Sequence, residues 1–279
     1  MSIQFSPVIT ARKRGGGAFT IKAFELDELA GAASPVVVLD DFRVRGQPFP
    51  PHPHAGFSAV TYVFEDSDGA LRSRDSLGND VVVGPGGLVW TLAGRGVLHH
   101  EVPAQADHEL HGLQLFVNLS AKNKLAAPRM VTLADGDAPE WHNDAGDRVR
   151  VVAGSYGGAT SPVATVEPFD LLDVKLQREI ALKLSQSQHA LVYVVDGHIL
   201  VRAAGQTKIV PGGSLVALAS EGRATLEAVR SSHVIVLTGE ALNEPVVTNG
   251  PFIMNDQSQI AAASARFQAG EMGNLAPLA

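Results

Sequence analysis

The chain has 279 residues, 45% of them hydrophobic, enough to bury a sizeable core as one large or two modest domains. Its formal charge of −7 disfavours nucleic acid as a partner, and the lack of any cysteine removes disulfides, thiolate nucleophiles and cysteine-ligated zinc or iron–sulfur centres. No basic-then-apolar leader opens it and no apolar run nears the ~18 residues of a membrane span, so the expectation is a soluble, cytoplasmic protein without membrane contact.

In chain order, the short basic stretch "ARKRGGG" (11–17) reads as an exposed terminal segment. After it, runs rich in Val, Leu, Ile and aromatics recur between Gly, Pro, Asp and Asn turns: "PVVVLDDF", "SAVTYVFE", "DVVVGPGGLVWTL", "LQLFVNL", "RVRVVAG", "ALVYVVDG", "HILVRAA", "SLVALA" and "HVIVLTG". Helical periodicity is scarce, and this spacing predicts an all-β sandwich or barrel. Asp196-Gly197, between two strand-like runs, predicts a hairpin turn. The tail "NDQSQIAAASARFQAGEMG" (255–273) predicts a helix, capped by Asn255 or Asp256 and ending near Gly270.

The pattern repeats. "TYVFE" leads to "VVVGPGGLVW", and "VYVVD" leads to "KIVPGGSLVAL"; Tyr62 aligns with Tyr193 and Pro85 with Pro211. Two copies of one β module imply two similar domains. The Asp/Gly/Asn-rich stretch Leu133–Gly146 separates them, giving domains 1–135 and 136–279, the second carrying the tail helix.

Two pairs of residues carry the chemistry. His52 and His54, in "PFPPHPHAGF" (48–57), stand one residue apart in a segment that prolines keep extended, so they project to one side. His99 and Glu101, in "TLAGRGVLHHEVP" (91–103), have the same spacing, and His100 faces away toward a supporting or surface position. Facing strands that carry the two pairs would gather three imidazoles and a carboxylate, a donor set suited to one divalent transition metal with positions left for substrate or O₂. Counted along the repeat, the second copy has Lys183, Ser185, Thr225 and Glu227 at these places, so the metal belongs to the first copy alone. Gly94-Arg95-Gly96 lacks the Lys-Ser/Thr of a phosphate loop and reads as a turn. His108, His142, His189, His198 and His233 read as turn or surface residues, and Trp90 as core.

The motifs "LDDF", "HPHAGF", "TYVFE", "RDSLGN", "GPGG", "WTLAGRGVLHHE" and "HGLQLFVNL", in this order, and "LNEPVVTNGPFIMN" near the C-terminus, resemble the pirin family of the cupin superfamily. The resemblance implies a bicupin: two β-barrel, jelly-roll-like domains face to face. It implies one metal in the N-terminal domain, commonly iron, as Fe(II), held by three His and one Glu. Those ligands fall on His52, His54, His99 and Glu101. Chemistry alone leaves Mn, Co, Ni, Cu and Zn open. The resemblance also implies quercetin 2,3-dioxygenase activity, the O₂-dependent ring cleavage of a flavonol with release of carbon monoxide, with Glu101 relaying a proton. The alternative it implies is a redox-gated regulator acting through a protein partner, without a substrate. His111, Gln114 and Phe57 are candidates for the pocket wall. Ser58 and Ser73 stand where many relatives carry Glu and His, which bears on how the ligands are supported.

Overall fold

The computed structural model describes residues 3–47 and 49–278; Pro48, at the start of the proline-rich stretch, lies outside them. The chain is all-β with one short C-terminal helix, and it forms two cupin domains. By contacts these are two compact units, each discontinuous in sequence. One comprises Lys13–Ile21, Val36–Asp137 and Leu242–Ala279; the other comprises Met1–Arg12, Lys22–Pro35 and Ala138–Ala241.

The first unit contains β1 (Arg12–Gly16), β2 (Phe19–Ala23), β3 (Val36–Val44), β4 (His52–His54), β5 (Phe57–Val63), β6 (Leu71–Asp75), β7 (Asp80–Val83), β8 (Leu88–Leu92), β9 (Val97–Pro103), β10 (Leu110–Asn118) and β11 (Arg129–Leu133). Seven of them form a sheet in the order β11-β8-β5-β10-β3-β2-β1, and four form a second sheet in the order β4-β9-β6-β7. Neither path returns on itself, so each cupin here is built from open sheets rather than a hydrogen-bonded cylinder. The β5 run is buried at every position, which is why it reads as a continuous apolar stretch instead of an alternating one. Phe42, Val44, Val63, Val89 and Leu110 from the larger sheet meet Leu71 and Val83 from the smaller one in a buried cluster. Between β6 and β7 the "RDSLGN" motif is a side-chain-built turn. The Asp75 carboxylate accepts from the Leu77 and Asn79 backbone N–H groups (2.9 and 3.0 Å) and from the Asn79 side-chain amide (2.7 Å).

The main sheet of the second unit has ten strands. Its members include β12 (Glu140–His142), β13 (Arg148–Ala153), β14 (Phe169–Leu176), β15 (Glu179–Leu184), β16 (Gln188–Ala203), β17 (Gln206–Pro211), β18 (Ser214–Ala219) and β19 (Gly222–Glu240). The repeat is visible in the pairing: Tyr62 lies between Leu88 and Leu113, and Tyr193 between Leu215 and Ile235, both tyrosines fully buried.

Two expectations are corrected. Asp196-Gly197 is not a hairpin turn; it lies inside β16, where the register against β19 shifts on both sides of Asp196. Gly197 has φ 105°, and a Cβ there would meet the Ser232 hydroxyl at 2.1 Å, so the glycine serves a bulge. The turn comes later, at Ala204-Gly205, both at positive φ, between Ala203 and its partner Gln206. Next, pairing places Ala181 opposite Thr225 and Lys183 opposite Arg223, whereas His52 lies opposite His99 and His54 opposite Val97. Thr225, counted as the counterpart of His99, thus lies opposite Ala181 rather than Lys183, so the counted positions do not form a facing pair as His52 and His99 do. In that region the inward positions, Ile180, Leu182, Leu184, Ala224 and Leu226, belong to one aliphatic core, while Glu227 pairs with Arg202 at the surface.

The tail forms the expected helix: after β20 (Val247–Asn249) and β21 (Phe252–Met254) comes α1 (Gln257–Gln268), whose N-cap Asp256 accepts from the Gln259 N–H at 2.9 Å. By contacts this helix groups with the first unit. Ile260, Ala263 and Met272 pack with Phe252, Met254 and Ala55, the residue after His54. Lys124, fully buried, ties the same region. Its ammonium donates to the Gly56 carbonyl (2.9 Å), the Ile253 carbonyl (3.0 Å) and the Asn118 side-chain oxygen.

Gly56 is the tightest point of this junction: φ is 88°, and a Cβ would lie 1.9 Å from the Ile253 carbonyl oxygen. Gly56→Ala must displace backbone, so it should lower stability by roughly 2 kcal/mol or more. A fall in the urea midpoint measures this. An unchanged midpoint would mean that the β21 strand is not packed against the His52–His54 segment.

Candidate metal centre

Strands β4 and β9 run antiparallel with His52 directly opposite His99. Alternation then puts His52, His54, His99 and Glu101 on one face, and the structure brings the three imidazoles together. Their ring centroids are 4.7 Å (His52–His54), 4.6 Å (His52–His99) and 4.5 Å (His54–His99) apart. One ligand atom from each lies within 4.8 Å of the others, an arrangement that could hold a metal ion. Glu101 is outside that group.

The tautomer of His52 follows from its neighbour. Its Nδ1 is 3.0 Å from the Pro50 carbonyl, which can only accept, so Nδ1 carries the proton. The neutral ring then offers a lone pair at Nε2, and this atom stands 3.1 Å from Nε2 of His99. Burial holds His54 down to about 3 and His99 well below the ordinary histidine range, with neighbouring imidazoles adding to the effect. Both are thus in the neutral, metal-ligating form, and the donor chemistry fits a divalent transition metal. Phe57 and Phe116 back the cluster, with His54 5.0 and 5.2 Å from their rings.

Glu101 accepts from the Thr61 hydroxyl at Oε2 (2.6 Å) and from the Ser73 hydroxyl at Oε1 (3.1 Å). Burial raises its carboxyl above the usual range, and the two hydroxyls oppose that rise. Thr61 is also 3.1 Å from Gln114 Oε1; its single proton favours the carboxylate, and the Gln114 amide donates to the Val60 carbonyl at 3.2 Å. Ser73 therefore helps hold the carboxylate in place. Ser58 is buried on the neighbouring β5.

The three histidines and Glu101 line a cavity of about 350 Å³ with mostly apolar walls, among them Phe19, Phe42, Phe49, Leu110 and Phe116, and with Asp40 and Gln114 as further polar groups. That combination of apolar wall and few convergent polar groups is typical of small-molecule sites. Of the three expected wall residues, Gln114 lines the cavity. Phe57 is fully buried against Phe116 (4.4 Å) and does not reach it. His111 has the opposite parity on β10 and turns away, bonding Asp66 (2.7 Å) and Asp41 (3.1 Å).

His100 also turns away, but it is buried rather than at the surface: its Nε2–H donates to the Phe49 carbonyl at 3.0 Å. It thereby anchors the segment whose Pro50 carbonyl fixes His52. His108 and His142 are exposed, as read from sequence. His189, His198 and His233 instead lie on strands, and His233 pairs with the buried Asp173 at 2.7 Å. Trp90 is core. Thr61 and Asp40 went unread as site residues; the available signal was polar residues at inward parity in apolar strands.

Comparison with known proteins agrees with this architecture. The family profile described as "Pirin" matches residues 9–117, and "Pirin C-terminal cupin domain" matches residues 171–273. A Pseudomonas aeruginosa protein named "Putative quercetin 2,3-dioxygenase" is 34% identical over 248 residues, 85% of this chain and 86% of its own. Pirin from Mus musculus is 33% identical over 279 residues, covering 97% of this chain and 93% of its own. A crystal structure of quercetin 2,3-dioxygenase from Acinetobacter baumannii superposes with TM-score 0.86 at 28% identity, over 99% of this chain and 100% of that one. A bacterial pirin from Escherichia coli, solved in complex with nickel(II), shares the fold at TM-score 0.65 and 18% identity, over 86% of this chain and 100% of that one. With both domain profiles matched in order and a third of the residues shared across nearly its whole length, the chain belongs to the pirin family.

Proposed function

We propose that His52, His54, His99 and Glu101 hold one divalent transition metal, and that the protein opens the ring of a flavonol with O₂, releasing carbon monoxide. The carrying observation is the pair of Nε2 atoms 3.1 Å apart in an apolar cavity that Glu101 also lines. When bound, the metal would orient the substrate and O₂ and polarise the substrate's oxygens. Iron is the reading the family favours, and the same donors accept Mn, Co, Ni, Cu or Zn.

The chain's own residues have distinct tasks. The aromatic and aliphatic walls bind the flat rings and exclude water. Glu101, with a carboxyl raised by burial, takes up the flavonol 3-hydroxyl proton. Thr61 and Ser73 orient that carboxylate while leaving lone pairs for the incoming proton. Pro50 and the Phe49–His100 bond fix the ring of His52. The other reading is a regulator that reports the metal's redox state to a protein partner; it lacks cysteine as a switch, and an apolar cavity beside the donors favours turnover.

Carbon monoxide should appear in step with O₂ consumed when the metal-loaded protein meets quercetin. Glu101→Gln at full metal occupancy should lower turnover roughly 100-fold or more. If no metal among Fe, Mn, Co, Ni and Cu supports carbon monoxide release, the regulatory reading replaces the enzymatic one.

Saturated protein should carry one metal per chain. His99→Ala should weaken binding by more than the ~10–100-fold typical of supporting residues, and His100→Ala by no more than that. Stripping of the metal by His100→Ala but not by His99→Ala would shift the assigned ligand by one position.

Metal-free protein should lose stability as pH falls. His54 takes a proton at about 6.5 when unfolded and only at about 3 when folded, so acid favours the unfolded chain throughout that window. Each such imidazole steepens the loss by up to about 1.4 kcal/mol per pH unit. Glu101, raised by burial, acts in the opposite sense over the carboxylate range. Melting curves of chelated protein at pH 7.5 and 5 should therefore differ more than those of His54→Gln; equal differences would place His54 in solvent.

A further inference from the structure

The cavity changes character along its length, and register shows where. Its polar side chains, among the described residues, are those of His52, His54, His99, Glu101, Asp40 and Gln114. Asp40, Gln114 and Thr61 are direct partners across β3, β10 and β5, and the Thr61–Glu101 bond of 2.6 Å sets this row level with Glu101. Two residues along the same strands the row is Phe42–Gly112–Val63, and beyond it Val44 pairs with Leu110. The smaller sheet turns apolar at the same level: Glu101 is opposite Ser73, and Leu71 is next on that face of β6. Leu71 meets Phe42, Val44 and Leu110 in one buried cluster, and all four line the cavity. The Phe42 ring reaches across β10, since a Cβ on Gly112 would lie 2.5 Å from its Cζ. The peptide groups of β10 beneath that ring are engaged in ladders with β3 and β5. This end of the cavity is therefore a buried apolar arm, and none of the described side chains lining it can bond a hydroxyl.

We infer that this arm takes the phenyl ring of the ligand and selects flavonols whose phenyl ring carries no hydroxyl. The inference rests on the proposed flavonol chemistry and narrows its substrate class. Glu101, which takes up the 3-hydroxyl proton in that chemistry, is the proposed ligand beside Leu71; His99 is opposite Asp75, one step further from the arm. In a flavonol the carbon next to the 3-hydroxyl bears the phenyl ring. With the 3-hydroxyl at Glu101, that ring is the part of the molecule that enters between Leu71 and Phe42. A bare ring buries completely against these walls. A hydroxyl on it gives up its water and gains no partner, which weakens binding without forbidding it. Hydroxyls on the fused ring lie outside the arm and are not sorted by it.

The test is an anaerobic binding titration on metal-loaded protein with two probes: galangin, a flavonol with a bare phenyl ring, and kaempferol, the same molecule with one hydroxyl on that ring. Wild type should bind galangin roughly 10-fold or more tightly than kaempferol. Val44→Thr keeps the side chain's shape and adds a hydroxyl to the arm, so it should narrow that preference roughly 3-fold or more. Ile21→Thr makes a similar change at a half-buried residue that lines the cavity and packs on the same cluster, and it serves if Val44→Thr does not fold. If both compounds bind wild type equally, or if the preference is unchanged in every variant that folds, the apolar arm is wrong while the flavonol reading stands. If neither compound binds wild type, both are wrong.

Discussion

Everything at this site depends on the register between β4 and β9. His52 is opposite His99, and the pleat does the rest: His54 and Glu101 follow two residues along on the same face. A slip of one residue would replace His99 by His100 and turn the carboxylate outward. The structure guards against that slip from both edges. Pro53 sits opposite Leu98 in a strand of three residues, and β6 clamps the other side of β9 with Glu101 opposite Ser73.

This constraint has an electrostatic counterpart. Three imidazoles packed at centroid distances below 5 Å would repel if charged, and burial already penalises the charge. Both effects keep the His54 and His99 rings neutral, with their lone pairs available. The unit around them supplies stiffness at a distance, through His100 on one side and through Lys124, Gly56 and the Ile253 carbonyl on the other. The ligands are short side chains on strands, with little freedom of their own, so their precision is inherited from the backbone.

His52, His54 and His99, which the structure brings together, were legible in the sequence because i, i+2 spacing on a strand is a local fact. The sequence revealed the repeat and the all-β class for the same reason. It missed what depends on pairing between distant strands. The hydroxyls that hold Glu101 come from β5 and β6, and no local pattern links Thr61 or Ser73 to position 101. Counting along the repeat failed because a count along each strand does not fix which residues pair between strands: Thr225 lies opposite Ala181, not Lys183. Asp-Gly misled for a related reason: the same backbone freedom that suits a hairpin suits a bulge. His111 looked like a wall residue, and parity decided otherwise.

The discontinuity of the units has a consequence for biosynthesis. The unit with the histidines needs Leu242–Ala279 for its Ala55–Met254–Ile260 cluster, yet the intervening Ala138–Ala241 belongs elsewhere. During synthesis His52, His54 and His99 leave the ribosome early, and the strand that packs behind them leaves more than a hundred residues later. Until then the Lys124 ammonium has no Ile253 carbonyl, and Ala55 has no helix to cover it. The support behind the His52–His54 strand is thus completed only once β21 and α1 are made, a contact of long sequence separation that forms late.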